Sequence, residues 1–283
     1  GNGMRNRLIA YLLCGFLAMF VFLLRIRQVS LPQLDKIAKA ETYREIGEKI
    51  RNSINEKYAA FPQQKKDELT NRAYKQYLKD YRYAIKDKMR RKADEKKAFY
   101  RNDNGSTYLF GIDSYYWLRL IDNLIKKGHI GDRVVGGRQY DDLVDMPIED
   151  SFSRSMHLIA GKLLYDVFRS LKIDVDYERG IFLIPLLFSV LTVITTFFVT
   201  RLLCHSNRAA FFSGLAVNLS PLFLHRTMGE WLDTDIYNVF FPLLIFSAFL
   251  FVFKSHTTKR KIAGTVGFAV SCALFASVWQ GCS

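Results

Sequence analysis

Five uncharged apolar runs punctuate the chain, at 8–24, 181–200, 209–224, 236–253 and 262–279, with lengths of 17, 20, 16, 18 and 18 residues. A helix crossing the hydrocarbon core of a bilayer needs about 20 residues, within a range of roughly 17–25. Four runs meet that range as they stand, and 209–224 meets it once flanking residues are included. Charges gather at the ends of the runs and not within them, and five such runs exceed what one soluble core buries. The pattern predicts an all-α polytopic membrane protein with five transmembrane helices. The first run follows Arg5 and Arg7, is longer than the h-region of a cleaved signal peptide and lacks a small-x-small site before Arg25, so it reads as a retained signal anchor starting at Met4.

Between the first and second runs lies a long polar segment that changes character midway. Tyr43, Ile46, Ile50, Ile54 and Tyr58 recur at three- and four-residue steps; Pro62 interrupts; Tyr74, Leu78, Tyr81, Ile85 and Met89 resume the spacing. This predicts a charged helical hairpin inserted at 28–107, solvated on one side and packed on its tyrosine face on the other. From 108 to 180 Gly, Asp and aromatic residues alternate around helical stretches near 113–127 and 151–171. The expected organisation is a first helix at 1–27, the hairpin at 28–107, an outer loop with an acidic motif at 108–180, and helices two to five at 181–283. A glycosylation sequon, Asn104-Gly105-Ser106, falls in the turn before the acidic motif.

The net charge of +14 is concentrated in one place: 35–101 holds 20 of the 41 Lys/Arg against 11 of the 27 Asp/Glu. No zinc-finger spacing, arginine-rich arm or RNA-binding aromatic motif accompanies it, which argues against nucleic acid and leaves membrane lipids or solvent as its surroundings. Charge also orients the chain. Loops 201–208 and 254–261 carry Lys and Arg with no acid, whereas 225–235 carries Arg226 against Glu230, Asp233 and Asp235. The first two belong inside and the third outside, which puts 28–180 outside as well. The four cysteines, Cys14, Cys204, Cys272 and Cys282, have no CxxC partners and suit neither a zinc site nor a disulfide framework. They read as small buried hydrophobes.

Two acidic groups therefore share the outer face: Asp113 in Gly111-Ile112-Asp113-Ser114-Tyr115-Tyr116-Trp117, and the pair Asp233-Thr234-Asp235 before the fourth run. Carboxylates two residues apart point to one side of an extended backbone, where they can grip one hard cation through oxygen, Mg²⁺ or Mn²⁺ by preference. Asp113 and Asp233 also suit a helix N-terminus as caps, and Arg226 suits an interfacial position with its charge in water.

His225-Arg226-Thr227-Met228-Gly229-Glu230-Trp231-Leu232-Asp233-Thr234-Asp235, together with the upstream Gly-x-Asp-x-Tyr, resembles the oligosaccharyltransferase catalytic subunits. Trp279-Gln280-Gly281 resembles the end of that family's fifth helix, and the hairpin and the Gly128-His129-Ile130-Gly131-Asp132 turn look archaeal in type. The resemblance implies a GT-C glycosyltransferase fold in a multi-pass membrane protein, in the plasma membrane if archaeal, with its active site outside. It implies a lipid-linked oligosaccharide donor and an acceptor protein bearing Asn-x-Ser/Thr. It implies that Asp113, Asp233 and Asp235 bind Mn²⁺ or Mg²⁺ and that these three and Arg226 are catalytic. The family's mobile outer loop with a further glutamate, its later helices and its tryptophan-aspartate motif are not in this sequence, so the expectation is an N-terminal part that does not catalyse transfer alone. Two other readings are a protein O-mannosyltransferase-like enzyme and a non-catalytic membrane interaction protein.

Overall fold

The computed structural model describes residues 2–103, 105–143, 145–148, 155–173, 180, 181 and 183–278. Asn104, Cys282 and the Trp279-Gln280-Gly281 stretch lie outside the described residues. The chain divides into two compact units, one of Gly1–Val29 with Leu109–Ser283 and one of Ser30–Tyr108.

The chain opens with α1 (Asn2–Ile26), an apolar helix of the first unit. The second unit follows as α2 (Pro32–Lys57), α3 (Gln63–Asp80) and α4 (Arg82–Ala98). Pro62 precedes α3 with φ −58° and ψ 147°, an extended conformation compatible with its ring. The return arm of the expected hairpin is broken once more, at Tyr81 (φ −105°, ψ 23°), where the three- and four-residue spacing runs on undisturbed. Periodicity records which face is apolar; it does not record a one-residue bend that keeps the same face inward. Ile46 of α2 and Ile85 of α4 are both buried. Glu45 takes both Lys88 and Lys92, Glu41 takes Lys96 and Asp35 takes Lys97, so α4 runs antiparallel to α2.

The first unit continues with α5 (Ile112–Lys127), a small antiparallel sheet in the order β1 (Arg133–Val135), β2 (Arg138–Asp141), β3 (Met146–Pro147), and α6 (Met156–Ser170). The sheet is an addition to the expected all-α architecture. Its first turn is Gly136-Gly137, with φ of 58° and 82°, the two positive values that a two-residue hairpin needs. Arg119 of α5 ties the sheet down by pairing with Asp132 and, at 2.7 Å, with Asp141.

The remaining helices are α7 (Leu183–Cys204), α8 (Asn207–Leu219), α9 (Pro221–Arg226), α10 (Tyr237–Lys254) and α11 (Thr258–Ala276). Among the described residues three helices are long and apolar enough to cross a membrane: Met4–Ser30, Leu183–Cys204 and Thr234–Lys254. The third apolar run is divided because Ser220 is extended (φ −52°, ψ 126°) and Pro221 starts a new helix. The fifth begins with Lys259-Arg260-Lys261, which shortens its apolar part. Helix α1 packs Leu17 and Val21 against Val193 of α7. Gly214 of α8 permits this approach, since a Cβ there would lie 2.9 Å from Leu17 and 3.1 Å from Val193. Cys14 is buried in this seam, while Cys204 is exposed and Cys272 half-buried, so only the first of these three fits the buried-hydrophobe expectation.

Candidate active site

The Asp233-Thr234-Asp235 loop is held by a chain of local contacts that its own sequence supplies. Asp233 is extended (φ −140°, ψ 166°) and its Oδ1 accepts the Thr234 N–H at 2.6 Å, so it does cap the short 3-10 turn Thr234–Ile236 that leads into α10. Upstream, the Trp231 N–H donates to Met228 O at 3.0 Å and the Asp233 N–H to Trp231 O at 3.2 Å, which folds the loop tightly. Arg226, the last residue of α9, reaches both acids: its Nη1 lies 3.0 Å from Asp235 Oδ2 and 3.9 Å from Asp233 Oδ2. Both carboxylates therefore reach the same guanidinium, although Asp235 lies in the 3-10 turn and not on an extended backbone. The guanidinium also lies 4.4 Å from the centre of the Trp231 ring, a cation–π position that fixes its plane.

Asp113 comes from a different part of the chain, in the first turn of α5. The N-cap of that helix is Gly111 at φ 85°, a conformation that disfavours a side chain, and no side chain caps it. Asp113 is thus not the cap of α5, and its carboxyl is exposed. The two loops are joined by the backbone: the Phe110 N–H donates to Glu230 O at 2.7 Å. The Phe110 ring stacks on Trp231 at 5.3 Å and meets His225 edge-on at 5.8 Å, while His225 and Trp231 lie 4.9 Å apart. These contacts place the Asp113 turn and the Asp233 loop side by side, although 120 positions separate the two aspartates in the sequence.

The electrostatics follow from that placement. Burial pushes the Asp233 carboxyl above its ordinary range; the Thr234 N–H and Arg226 oppose this, and the negative charges of Asp235 and Asp113 add to it. Glu230 is raised as well, chiefly by burial, and its buried Oε1 has no hydrogen-bond partner among the described residues. Carboxylate oxygens are the donors a hard divalent cation takes, and the charges of Asp235 and Asp113 raise the cost of ionising Asp233. No group of three or more His, Cys, Asp or Glu side chains already stands within reach of one metal ion among the described residues. All four residues expected from sequence thus belong to one region, with Arg226, Asp233 and Asp235 in direct contact and Asp113 within electrostatic range.

Several residues here carry weight that sequence reasoning did not assign. Phe110, Trp231 and Glu230 form the joint between the loops. Arg25, at the end of α1, is fully buried; its Nε donates to Thr227 Oγ1 at 2.7 Å and its Nη2 to Asn218 O at 3.1 Å. The signal for Arg25 was present, an arginine directly continuing an apolar run, but it reads equally as an interfacial charge. His157 of α6 is buried against Trp117 at 4.8 Å and bonds Tyr237 Oη through Nδ1 at 2.8 Å, two residues beyond Asp235.

Apolar spanning helices together with an acidic, arginine-bearing loop at one end define an integral membrane protein with a polar site at its boundary. Residues 83–282 match the family model described as "Oligosaccharyl transferase STT3, N-terminal", and the chain belongs to that family. It is 29% identical over 173 residues to the dolichyl-phosphooligosaccharide-protein glycotransferase of Methanocaldococcus jannaschii, covering 59% of this chain and 18% of that protein. It is 24% identical over 194 residues to the protein of the same name from Methanococcus voltae, covering 64% of this chain and 21% of that protein. The chain thus spans about a fifth of the length of these curated relatives. No solved structure matches it.

Proposed function

We propose that the chain forms the N-terminal membrane part of a GT-C enzyme that transfers an oligosaccharide from a lipid phosphate carrier to the asparagine of Asn-x-Ser/Thr acceptors. The observation that carries this reading is the junction of the two acidic loops, Phe110 N–H to Glu230 O, inside a chain of this family. In this reading the apolar runs make five spans, the acidic loops face outward, and the membrane is the plasma membrane if the source is archaeal.

An amide nitrogen is a poor nucleophile because its lone pair is shared with the carbonyl. Carboxylates that accept its N–H bonds favour the rotated form in which that sharing is lost, and Asp113 and Asp233 are the groups offered here. The nitrogen then bonds to the anomeric carbon as the carbon–oxygen bond to phosphate breaks; the phosphate leaves with that electron pair and the nitrogen's proton passes to a carboxylate. Asp113, Asp233 and Asp235 would hold Mg²⁺ or Mn²⁺, which supplies charge neutralisation at the departing phosphate. Arg226 keeps Asp235 and Asp233 on one side and holds a permanent positive charge beside them.

The test is transfer of glycan to an acceptor peptide by membranes carrying the full-length protein. Asp233→Asn and Asp113→Asn are each expected to slow transfer at least about 100-fold, the scale of losing one general acid–base or charge-stabilising group. Mn²⁺ binding to the solubilised chain is expected to weaken in both variants. Unchanged transfer in Asp233→Asn sinks the assignment of this site.

A further inference from the structure

The end of the membrane unit opposite Asp233 has no assigned role, and it contains a cleft. Asn207 of α8 donates from Nδ2 to Asn6 O of α1 at 3.2 Å, and Lys254 of α10 donates from Nζ to Leu202 O of α7 at 2.6 Å. Four helix ends therefore meet here. Between them lies a cleft of about 970 Å³. One wall is hydrocarbon, made by Ile9, Leu13, Phe198 and Phe251 on the three helices that are apolar enough to span a membrane. The rim is cationic, made by Arg201 and Arg208.

Charge complementarity decides what fits. No Asp or Glu occurs at 1–27, 181–224 or 236–283, so the positive charge at this end is unopposed in the sequence. Arg201 spends its Nε on Asn207 Oδ1 at 2.8 Å, and no carboxylate pairs with Arg201 or Arg208 among the described residues. The short connection that presents them turns at His205, which takes a left-handed φ of 54°. A soluble anion would have no use for the apolar wall, and an apolar peptide none for the rim. A guanidinium pair beside a hydrocarbon wall at a membrane boundary matches a phosphate headgroup carrying its own chains.

We propose that this cleft binds one anionic membrane lipid, its phosphate held by Arg201 and Arg208 and a hydrocarbon chain lying along Ile9, Leu13, Phe198 and Phe251. The site is separate from the acidic loops and does not depend on the transferase reading. Its consequence is that α1, α7, α8 and α10 are clamped at this end by a lipid as well as by protein contacts.

Native mass spectrometry of the detergent-solubilised chain tests this, with phosphatidylglycerol and phosphatidylcholine of identical acyl chains as probes. Retention of one phosphatidylglycerol with at least a tenfold preference over phosphatidylcholine is expected. The double variant Arg201→Gln/Arg208→Gln should remove that preference. Lys259→Gln/Arg260→Gln, which deletes the same charge from the first turn of α11, should leave it intact. Should the arginine variant fail to fold, Ser247→Trp fills the cleft from α10 without touching a charge and should abolish retention. Equal binding of the two lipids, equal loss in both charge variants, or displacement by millimolar inorganic phosphate alone would overturn the proposal. The last two outcomes would mean diffuse attraction and a free-phosphate site, respectively.

Discussion

The two units of this protein handle charge in opposite ways. In Ser30–Tyr108 the acids and bases are numerous, paired and wet: the Lys92 and Lys88 hydrogen bonds hold the Glu45 carboxyl down to about 2, yet every partner keeps contact with solvent. In the membrane unit one arginine, Arg25, is fully buried with a hydroxyl and a carbonyl as its hydrogen-bond partners. A large pKa displacement on the surface is a statement about local proton affinity and translates poorly into stability, because water and salt screen the pair in the folded state. A buried donor has no such alternative, and each bond it loses is paid for in full.

Four experiments press on that contrast, beginning with the largest expected effect. His157 is buried, and desolvation lowers its pKa from 6.5 to about 3. The folded protein therefore keeps it neutral while the unfolded chain takes up a proton below about 6.5, so this histidine's contribution is full above that pH and is lost progressively down to about 3. The loss is on the order of 5 kcal/mol. Thermal unfolding of wild type and His157→Phe across this range should converge at acid pH as the wild type loses stability faster; parallel profiles would show that the ring is not held neutral.

Arg25→Leu comes next. It strands the Asn218 carbonyl and removes the donor to Thr227 Oγ1, which keeps its own bond to Phe223 O at 2.6 Å, and a cost of about 3 kcal/mol is expected in the unfolding of the purified chain. Because Thr227 adjoins Arg226, the same variant should slow glycan transfer in the full-length protein. A third change, Gly161→Ala, drives a methyl to 2.7 Å from Ile121 where α5 and α6 cross, with an expected cost of about 2 kcal/mol from overpacking. The smallest effect belongs to Glu45→Gln, which should leave the unfolding midpoint unchanged within error and abolish any salt dependence carried by that pair. A Glu45→Gln loss as large as that of Arg25→Leu would erase the distinction between the two units.

Much of the local structure was readable before any tertiary contact was known. Uninterrupted apolar runs imply helices because a backbone in hydrocarbon must satisfy its own hydrogen bonds. The stop at Pro62 follows from chain geometry over a few residues, and Asp233 and Asp235 lie close enough along the chain to reach one guanidinium. Arg226 is seven positions from Asp233, close enough for one motif to contain both. The sheet escaped notice because its strands are at most four residues long, too short for alternation to register. The break at Tyr81 escaped for a similar reason, since both sides of it keep the same apolar period.

What sequence alone determined, then, was the character of each segment: which stretches are apolar helix, which are solvated, and where acids cluster beside a membrane run. Tertiary structure alone decided the pairings. That Phe110 meets Glu230, that Arg25 reaches Thr227 across 202 positions, and that Asp113 raises the proton affinity of Asp233 depend on how helices cross. Hydrophobic burial is non-directional, so a period in the sequence names the face that must be covered and leaves the covering partner open. Hydrogen bonds and ion pairs are short-ranged and directional, and only the packed arrangement brings their members within reach.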